Sequence, residues 1–348
     1  MGVAQSDSEL RRHDVGYERC HLVAAAALPW SQAVIDDAVA RAFLAGPLGA
    51  ERIETTRPGE WSKVYAITRR SEELIVRFSR WRDDFEKDRA VARWRNADLP
   101  VPEVLEIGEV AGSAYAVSRL AHGGPLEELD ANGLRRVLPR LFAALDAMRA
   151  IDLSATTGYG GWDVHHGGQQ ASWRDSLLTV GATVPPGRNE GWRERLAESP
   201  DAADAFARAL DAVTELADAC PEDRHLIHDD LLNRNVLVED DRIAAVLDWG
   251  SSMYGDFLYD VALLVYGRDW VPAWSGVDVA ALFAEHYRAT GFDVPRFYER
   301  VRCYALRQGL SGIGYNVWKG HAANLAWHVA RTRELLAALQ PGWCSARG

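Results

Sequence analysis

The chain of 348 residues has only four cysteines, at positions 20, 220, 303 and 344, and no Cys-x-x-Cys spacing among them. So few and so scattered, they exclude a disulfide framework and a thiolate zinc site, and they fit reduced thiols in a cytoplasmic protein. Long apolar runs are also missing. The run at 22–29 is too short to cross a bilayer, and with mixed charge before it and no convincing cleavage site it does not read as a secretory leader. Basic charge is in deficit: 39 Lys and Arg stand against 50 Asp and Glu, a net charge of -11. That balance argues against a nucleic-acid partner, which needs basic surface. It suits the steering of a cationic small molecule, although many enzymes are simply acidic. Repeats and low-complexity tracts are absent, and nothing in the sequence calls for an obligate protein partner.

What is present is enough hydrophobic content, 48%, to bury one large core or two moderate ones. The most informative segment is His228-Asp229-Asp230-Leu231-Leu232-Asn233-Arg234-Asn235, followed by Asp248-Trp249-Gly250. It reads His-x-Asp-x-x-x-x-Asn, then an Asp before an aromatic and a Gly. The apolar stretches 236–238 and 243–247 flank a polar turn, so they predict a hairpin with Asn235 where it begins and Asp248 where it ends. Antiparallel pairing brings those two residues together, where an amide oxygen and a carboxylate can share one Mg²⁺ on the phosphates of ATP or GTP. Asp230 is the candidate catalytic carboxylate. It orients an acceptor hydroxyl and takes its proton late, since an ordinary Asp is a weak base. His228 is grouped with it as a residue that braces the loop by hydrogen bonding. Asp229 is expected to face solvent.

The rest of the pattern divides the chain into an extension at 1–30, a lobe at 31–120 and a second lobe at 121–348. Ser31 reads as the cap of a helix over 33–44. Three strands are expected within 51–78, a helix over 83–97, and strands at 103–108 and 114–120. Gly123-Gly124-Pro125 then breaks the pattern. Helices follow at 132–151, 173–180, 201–219, 258–266, 277–290, 295–310 and 321–339. The segment 155–168, rich in Gly and Thr, reads as a loop, and its His165-His166 pair reads as solvated rather than metal-binding. Asp256 is expected to cap the helix at 258–266, and Asp260 to brace the catalytic loop.

On these motifs the chain resembles the aminoglycoside phosphotransferases, a kinase-like family, and most closely its hygromycin-phosphorylating branch. The resemblance rests on the catalytic segment and on Leu74-Ile75-Val76-Arg77-Phe78, Lys87-Asp88-Arg89, Pro100-Val101-Pro102-Glu103-Val104-Leu105, Tyr115-Ala116-Val117-Ser118-Arg119-Leu120 and Gly255-Asp256-Phe257-Leu258-Tyr259-Asp260. It runs from about residue 51 to about residue 333. It implies an α+β, two-lobed, protein-kinase-like fold, with an antiparallel sheet in the first lobe and mostly helices in the second. It further implies a hinge at 118–122, where backbone groups of Ser118 and Leu120 meet the nucleotide base. Arg77 takes the place of the lysine that most relatives place against the phosphates, with Asp88 as its helical partner and Glu86 as the runner-up. Ser62 closes a phosphate loop at 57–62 that carries a single glycine.

The implied reaction is transfer of a γ-phosphoryl group to a hydroxyl of a small-molecule antibiotic, giving resistance or self-protection in a producer. The stretch 301–333 has no Asp or Glu but holds Arg302, Arg307, Lys319, Arg331 and Arg333 among aromatics. The acceptor class therefore stays open between a hygromycin-like aminoglycoside and a nucleoside or peptide antibiotic. A metabolite kinase for a sugar or amino-alcohol, or a non-catalytic nucleotide-binding module, are the alternatives on the same fold.

Overall fold

The computed structural model describes residues 34–56, 59, 61–181 and 189–338. The extension at 1–30, the cap at Ser31, Cys20 and Cys344 lie outside the described residues. The first described helix is α1 (Asp37–Ala45), capped by Asp36, whose carboxylate accepts from Ala38 N at 2.9 Å. Strands β1 (Arg52–Thr55), β2 (Ser62–Arg69) and β3 (Glu72–Ser79) follow, then α2 (Arg82–Val91), β4 (Val104–Val110) and β5 (Ser113–Arg119). These strands form one antiparallel sheet in the order β1-β2-β3-β5-β4.

Side-chain alternation decides what each face of that sheet does. On β3, Leu74, Val76 and Phe78 are fully buried against Leu44 of α1, Tyr65 and Val117. Arg77 falls on the opposite face, toward α2.

Beyond β5 come β6 (Gly124–Pro125), α3 (Ala131–Arg149), β7 (Tyr159–Asp163), β8 (Gly167–Gln170), α4 (Trp173–Leu178), α5 (Trp192–Ala197) and α6 (Pro200–Ala217). Strand β9 (His225–Ile227) enters the catalytic loop, and β10 (Val236–Glu239) and β11 (Arg242–Val246) form the expected hairpin. Strand β12 (Met253–Gly255), α7 (Leu258–Gly267), α8 (Val279–Thr290), α9 (Phe297–Lys319) and α10 (Ala322–Ala337) complete the chain. One large core runs through this second part, and it takes in Val91 at the end of α2 and Ala92, Leu99 and Val101 beyond it.

Two readings of local structure need correction, and glycine explains both. The segment 155–168 is not a loop: β7 and β8 pair within it. A Cβ on Gly158 would lie 2.2 Å from the carbonyl of Gly168, so glycine here permits close strand approach. Helix α9 does not stop at Leu310 but continues to Lys319. Gly309 and Gly312, which look like breakers, lie where a Cβ would meet Thr332 Oγ1 at 2.3 Å and the His328 ring at 2.1 Å, so they let α10 pack close. The short stretch after Asp248 contains β12, which pairs with both β7 and β9.

Asp256 contributes to the cap of α7, accepting from Leu258 N at 3.2 Å, but its main partner is Arg300. The two make a bidentate pair at 2.8 and 2.7 Å, with side chains 0% and 5% exposed, and the Tyr304 hydroxyl adds 2.5 Å to the same carboxylate. A charge so enclosed cannot reach a ligand. Removing one partner strands the other in the core. Asp256→Ala should therefore cost about 3–5 kcal/mol of unfolding free energy by urea titration; an unchanged midpoint would show that the pair contributes nothing.

Candidate active site

The catalytic loop is built from left-handed backbone. Asp229, Asn233 and Arg234 have φ of 62°, 66° and 69°, which non-glycine residues adopt only when their surroundings hold them there. Two buried carboxylates do the holding. Asp260, on the first turn of α7, accepts from His228 N at 2.8 Å and Asp229 N at 2.9 Å. Burial pushes its carboxyl up to about 7, against the pull of those two backbone donors. Glu127 accepts from Arg234 N at 2.6 Å, and its neighbour Glu128 pairs with the Arg234 guanidinium at 2.8 Å.

His228 is wholly buried, and that burial lowers it to about 4, so the ring is neutral. Its Nε2 donates to the carbonyl of Leu247 at 2.8 Å, and its Nδ1 accepts from Asp230 N at 3.1 Å. Both nitrogens are spent within the loop, where the ring helps to place Asp230. The Asp230 carboxylate accepts from Asn233 Nδ2 at 2.6 Å and from Asn235 Nδ2 at 2.9 Å. Burial, with the charges of Asp248 and Asp229 adding to it, raises Asp230 well above the ordinary carboxylate range. Asp229 does not face solvent as expected. It is half-buried, accepts from Gln308 Nε2 of α9 at 2.8 Å, and is pushed by burial up to about 6.

The hairpin brings the two candidate metal ligands to one end. Leu247 N donates to the carbonyl of Asn235 at 2.8 Å, so Asp248 emerges directly beyond the residue that faces Asn235. Asn235 gives its amide hydrogens to Asp230, which leaves its side-chain oxygen as the available ligand. Asp248 has φ 60°, and its carboxylate is half exposed. No group of three or more His, Cys, Asp or Glu suited to a metal occurs among the described residues. One amide oxygen and one open carboxylate, with phosphate oxygens completing the shell, fit Mg²⁺.

Helix α2 ties the sheet to this edge. Asp88 pairs with Arg77 through one oxygen and accepts from Trp249 N through the other at 2.8 Å. Glu86, the runner-up, pairs with Arg82 instead. Arg77 also approaches Asp248 to 3.7 Å. Lys87, which the sequence reading passed over, is buried and donates to the carbonyls of Gly250 at 2.8 Å and Ser252 at 3.2 Å. An amphipathic pattern gives no sign of such a lysine, because its partners are carbonyls 163 and 165 residues away.

The other expected nucleotide contacts lie on the sheet. Ser62 begins β2 opposite Ser79. Residues 57, 58 and 60 of the phosphate loop lie outside the described residues. Ser118 sits in β5 between Ile75 and Val104. The N–H of Leu120 donates to Glu73 at 3.2 Å, which leaves Leu120 its carbonyl as a hinge group. His166 bonds Asp163 at 2.9 Å, away from this cluster.

Comparison with known proteins shows the family and the fold. Residues 54–299 match the family model described as the phosphotransferase enzyme family. The chain is 34% identical over 275 residues to hygromycin-B 4-O-kinase of Escherichia coli, covering 78% of this chain and 77% of that one. It superposes on the crystal structure of aminoglycoside phosphotransferase APH(4)-Ia with a TM-score of 0.76 at 30% identity, covering 88% of this chain and 100% of that one. A thermostable mutant of that enzyme, in ternary complex with AMP-PNP and hygromycin B, gives 0.74 at 31%, covering 86% and 98%. The fold is thus the two-lobed, kinase-like α+β fold of those enzymes.

Asp260→Ala leaves the His228 and Asp229 amides buried without an acceptor, a loss of roughly 2 kcal/mol or more. Their hydrogen exchange should accelerate about 30-fold or more; unchanged protection would mean that Asp260 does not hold the loop.

Proposed function

The chain belongs to the phosphotransferase enzyme family, and from that premise we propose that it moves the γ-phosphoryl group of ATP to a hydroxyl of a hygromycin-type aminoglycoside antibiotic. The observation that carries this reading is the convergence of Asp230, Asn235 and Asp248 at one end of the β10–β11 hairpin, in a chain similar along most of its length to a hygromycin kinase. The AMP-PNP complex of a relative supports ATP as donor. Residues 31–120 are then the nucleotide-binding lobe, and residues 121–348 the catalytic and acceptor-binding lobe. The consequence is inactivation of the antibiotic in the cytoplasm, where ATP is supplied. No helix among the described residues is long and apolar enough to cross a membrane.

Each side chain has a task in this reading. Asp230 accepts a hydrogen bond from the acceptor hydroxyl, aims its oxygen at the γ-phosphorus and takes the proton as the new bond forms. Asn235 and Asp248 would hold Mg²⁺, which neutralises charge on the donor phosphates. Arg77 bridges phosphate oxygens while Asp88 fixes its guanidinium. Ser62 and backbone N–H groups beside it contact phosphate, and the hinge at 118–122 meets the base.

The acid-poor stretch on α9 and α10 does not weigh against a polycationic acceptor. Arg302 donates to the carbonyls of Leu335 and Leu336, Arg307 to the carbonyl of Leu177, and Arg331 to that of Val265. Arg333 pairs with Asp201. These cations hold helices together, so they give no reason to prefer a nucleoside or peptide antibiotic. Asp229, Asp230 and Asp248 place three carboxyl groups at the site itself, and the net charge of -11 favours encounter with a cation.

The test is ADP release with ATP and Mg²⁺ across hygromycin B, other aminoglycosides, nucleoside antibiotics, basic peptides, sugars and amino-alcohols. Turnover should depend on hygromycin B or a near relative; turnover only with a sugar or amino-alcohol would replace the proposal with a metabolite kinase. Asp230→Ala should lower kcat by on the order of 10²–10⁴-fold with nucleotide affinity nearly intact. Unchanged turnover would remove Asp230 from the mechanism. Asp248→Ala should abolish Mg²⁺-dependent nucleotide binding, and normal binding would place the cation elsewhere.

A further inference from the structure

Two contacts between the sheet and the helical part already serve the site: α2 against the segment after Asp248, and the hinge strand β5 running on to β6. A third lies apart from both. Trp61, just before β2, packs on the large helical core rather than on the small core beneath its own sheet. Its ring stacks on Trp318, the penultimate residue of α9, with centroids 5.8 Å apart and planes 13° apart. Lys319 ends the same helix. Its ammonium lies 4.7 Å from the Trp61 ring centre, 4.8 Å from that of Trp318 and 5.7 Å from that of Tyr315.

The far side of the stack is anchored. Trp318 is 5% exposed, and its carbonyl accepts from the Arg195 guanidinium. Gly320, at φ 73°, stops α9 directly after Lys319. The near side is one residue from Ser62, where β2 begins.

We propose that Trp61, Trp318 and Lys319 form an inter-lobe clamp that holds the start of β2 in place over the donor phosphates. They are positioning residues for phosphoryl transfer. A sheet tied to the helical lobe only at the hinge and α2 leaves its β1–β2 end to be ordered when nucleotide binds. Fixing that end beforehand removes part of the ordering cost and so raises nucleotide affinity. Stacked aromatics with a cation over their faces supply an attraction of the size needed to matter, equivalent to about a tenfold change in a dissociation constant. This rests on the reading of the site as one that binds a nucleotide.

The experiment is calorimetric titration of AMP-PNP with Mg²⁺, without acceptor, into wild type, Trp61→Ala, Trp318→Ala, the double variant and Trp61→Phe, with thermal midpoints recorded for each. The clamp predicts a dissociation constant raised about tenfold in each single alanine variant. It predicts a double variant no weaker than either single one, and near-complete rescue by Trp61→Phe. If Trp318→Ala fails to fold, Lys319→Met takes its place, with a smaller change in the same direction. Lower thermal midpoints with unchanged AMP-PNP affinity would overturn the clamp, and so would fully additive losses, because either would mean that the rings do not act together on the nucleotide. Wild-type protein that binds no AMP-PNP would overturn the nucleotide reading and the clamp with it; wild-type binding matched by every variant would overturn the clamp alone.

Discussion

The Asp260 carboxylate, buried in the first turn of α7, is the contact on which the rest of the site depends. Its two oxygens take the backbone N–H groups of His228 and Asp229, and that fixes where the chain turns into left-handed conformation. Everything downstream follows from that turn. Neutral His228 can reach both the Leu247 carbonyl and the Asp230 amide only from there, and Asn235 can close on Asp230 only if the intervening turn is held. A carboxylate is suited to the job because it offers two acceptors and no donor. Its burial would be unfavourable without those partners.

A second carboxylate does for the sheet what Asp260 does for the loop. Asp88 grips Arg77 with one oxygen and the backbone after Asp248 with the other. Lys87 beside it binds carbonyls in the same segment. Adjacent residues of one helix thus set where Arg77 lies relative to the edge that carries Asn235 and Asp248. The arrangement accommodates arginine where most relatives are expected to use lysine, because the long guanidinium reaches Asp88 while approaching Asp248.

Much of this was legible in the sequence because it is local. The hairpin at 236–246 announces itself by two short apolar runs about a polar turn, and the residues of the catalytic segment lie within about 20 positions of one another. The strands within 51–78 are likewise legible from the turns between them, whereas their joining into one antiparallel sheet is what the family resemblance implied. What was not legible depends on approach between distant segments. Gly158, Gly309 and Gly312 look like breakers when read along the chain, yet they are points of close packing in space. Asp229 looks like a solvated turn residue until Gln308 is brought to it from α9. The basic residues at 301–333 suggested an unusual acceptor because nothing in their spacing tells that their partners are carbonyls in other helices. Trp61 reads as an incidental residue of a poor phosphate loop until Trp318 is placed against it.

The proposed reaction joins the γ-phosphoryl group of ATP to a hydroxyl of an aminoglycoside. Mass spectrometry with phosphorus NMR of hygromycin B, recovered after incubation with the protein, ATP and Mg²⁺, tests it most directly. The account predicts an antibiotic heavier by one phosphoryl group, with a single new phosphate-ester resonance. Unmodified antibiotic recovered from protein that still binds ATP would contradict it.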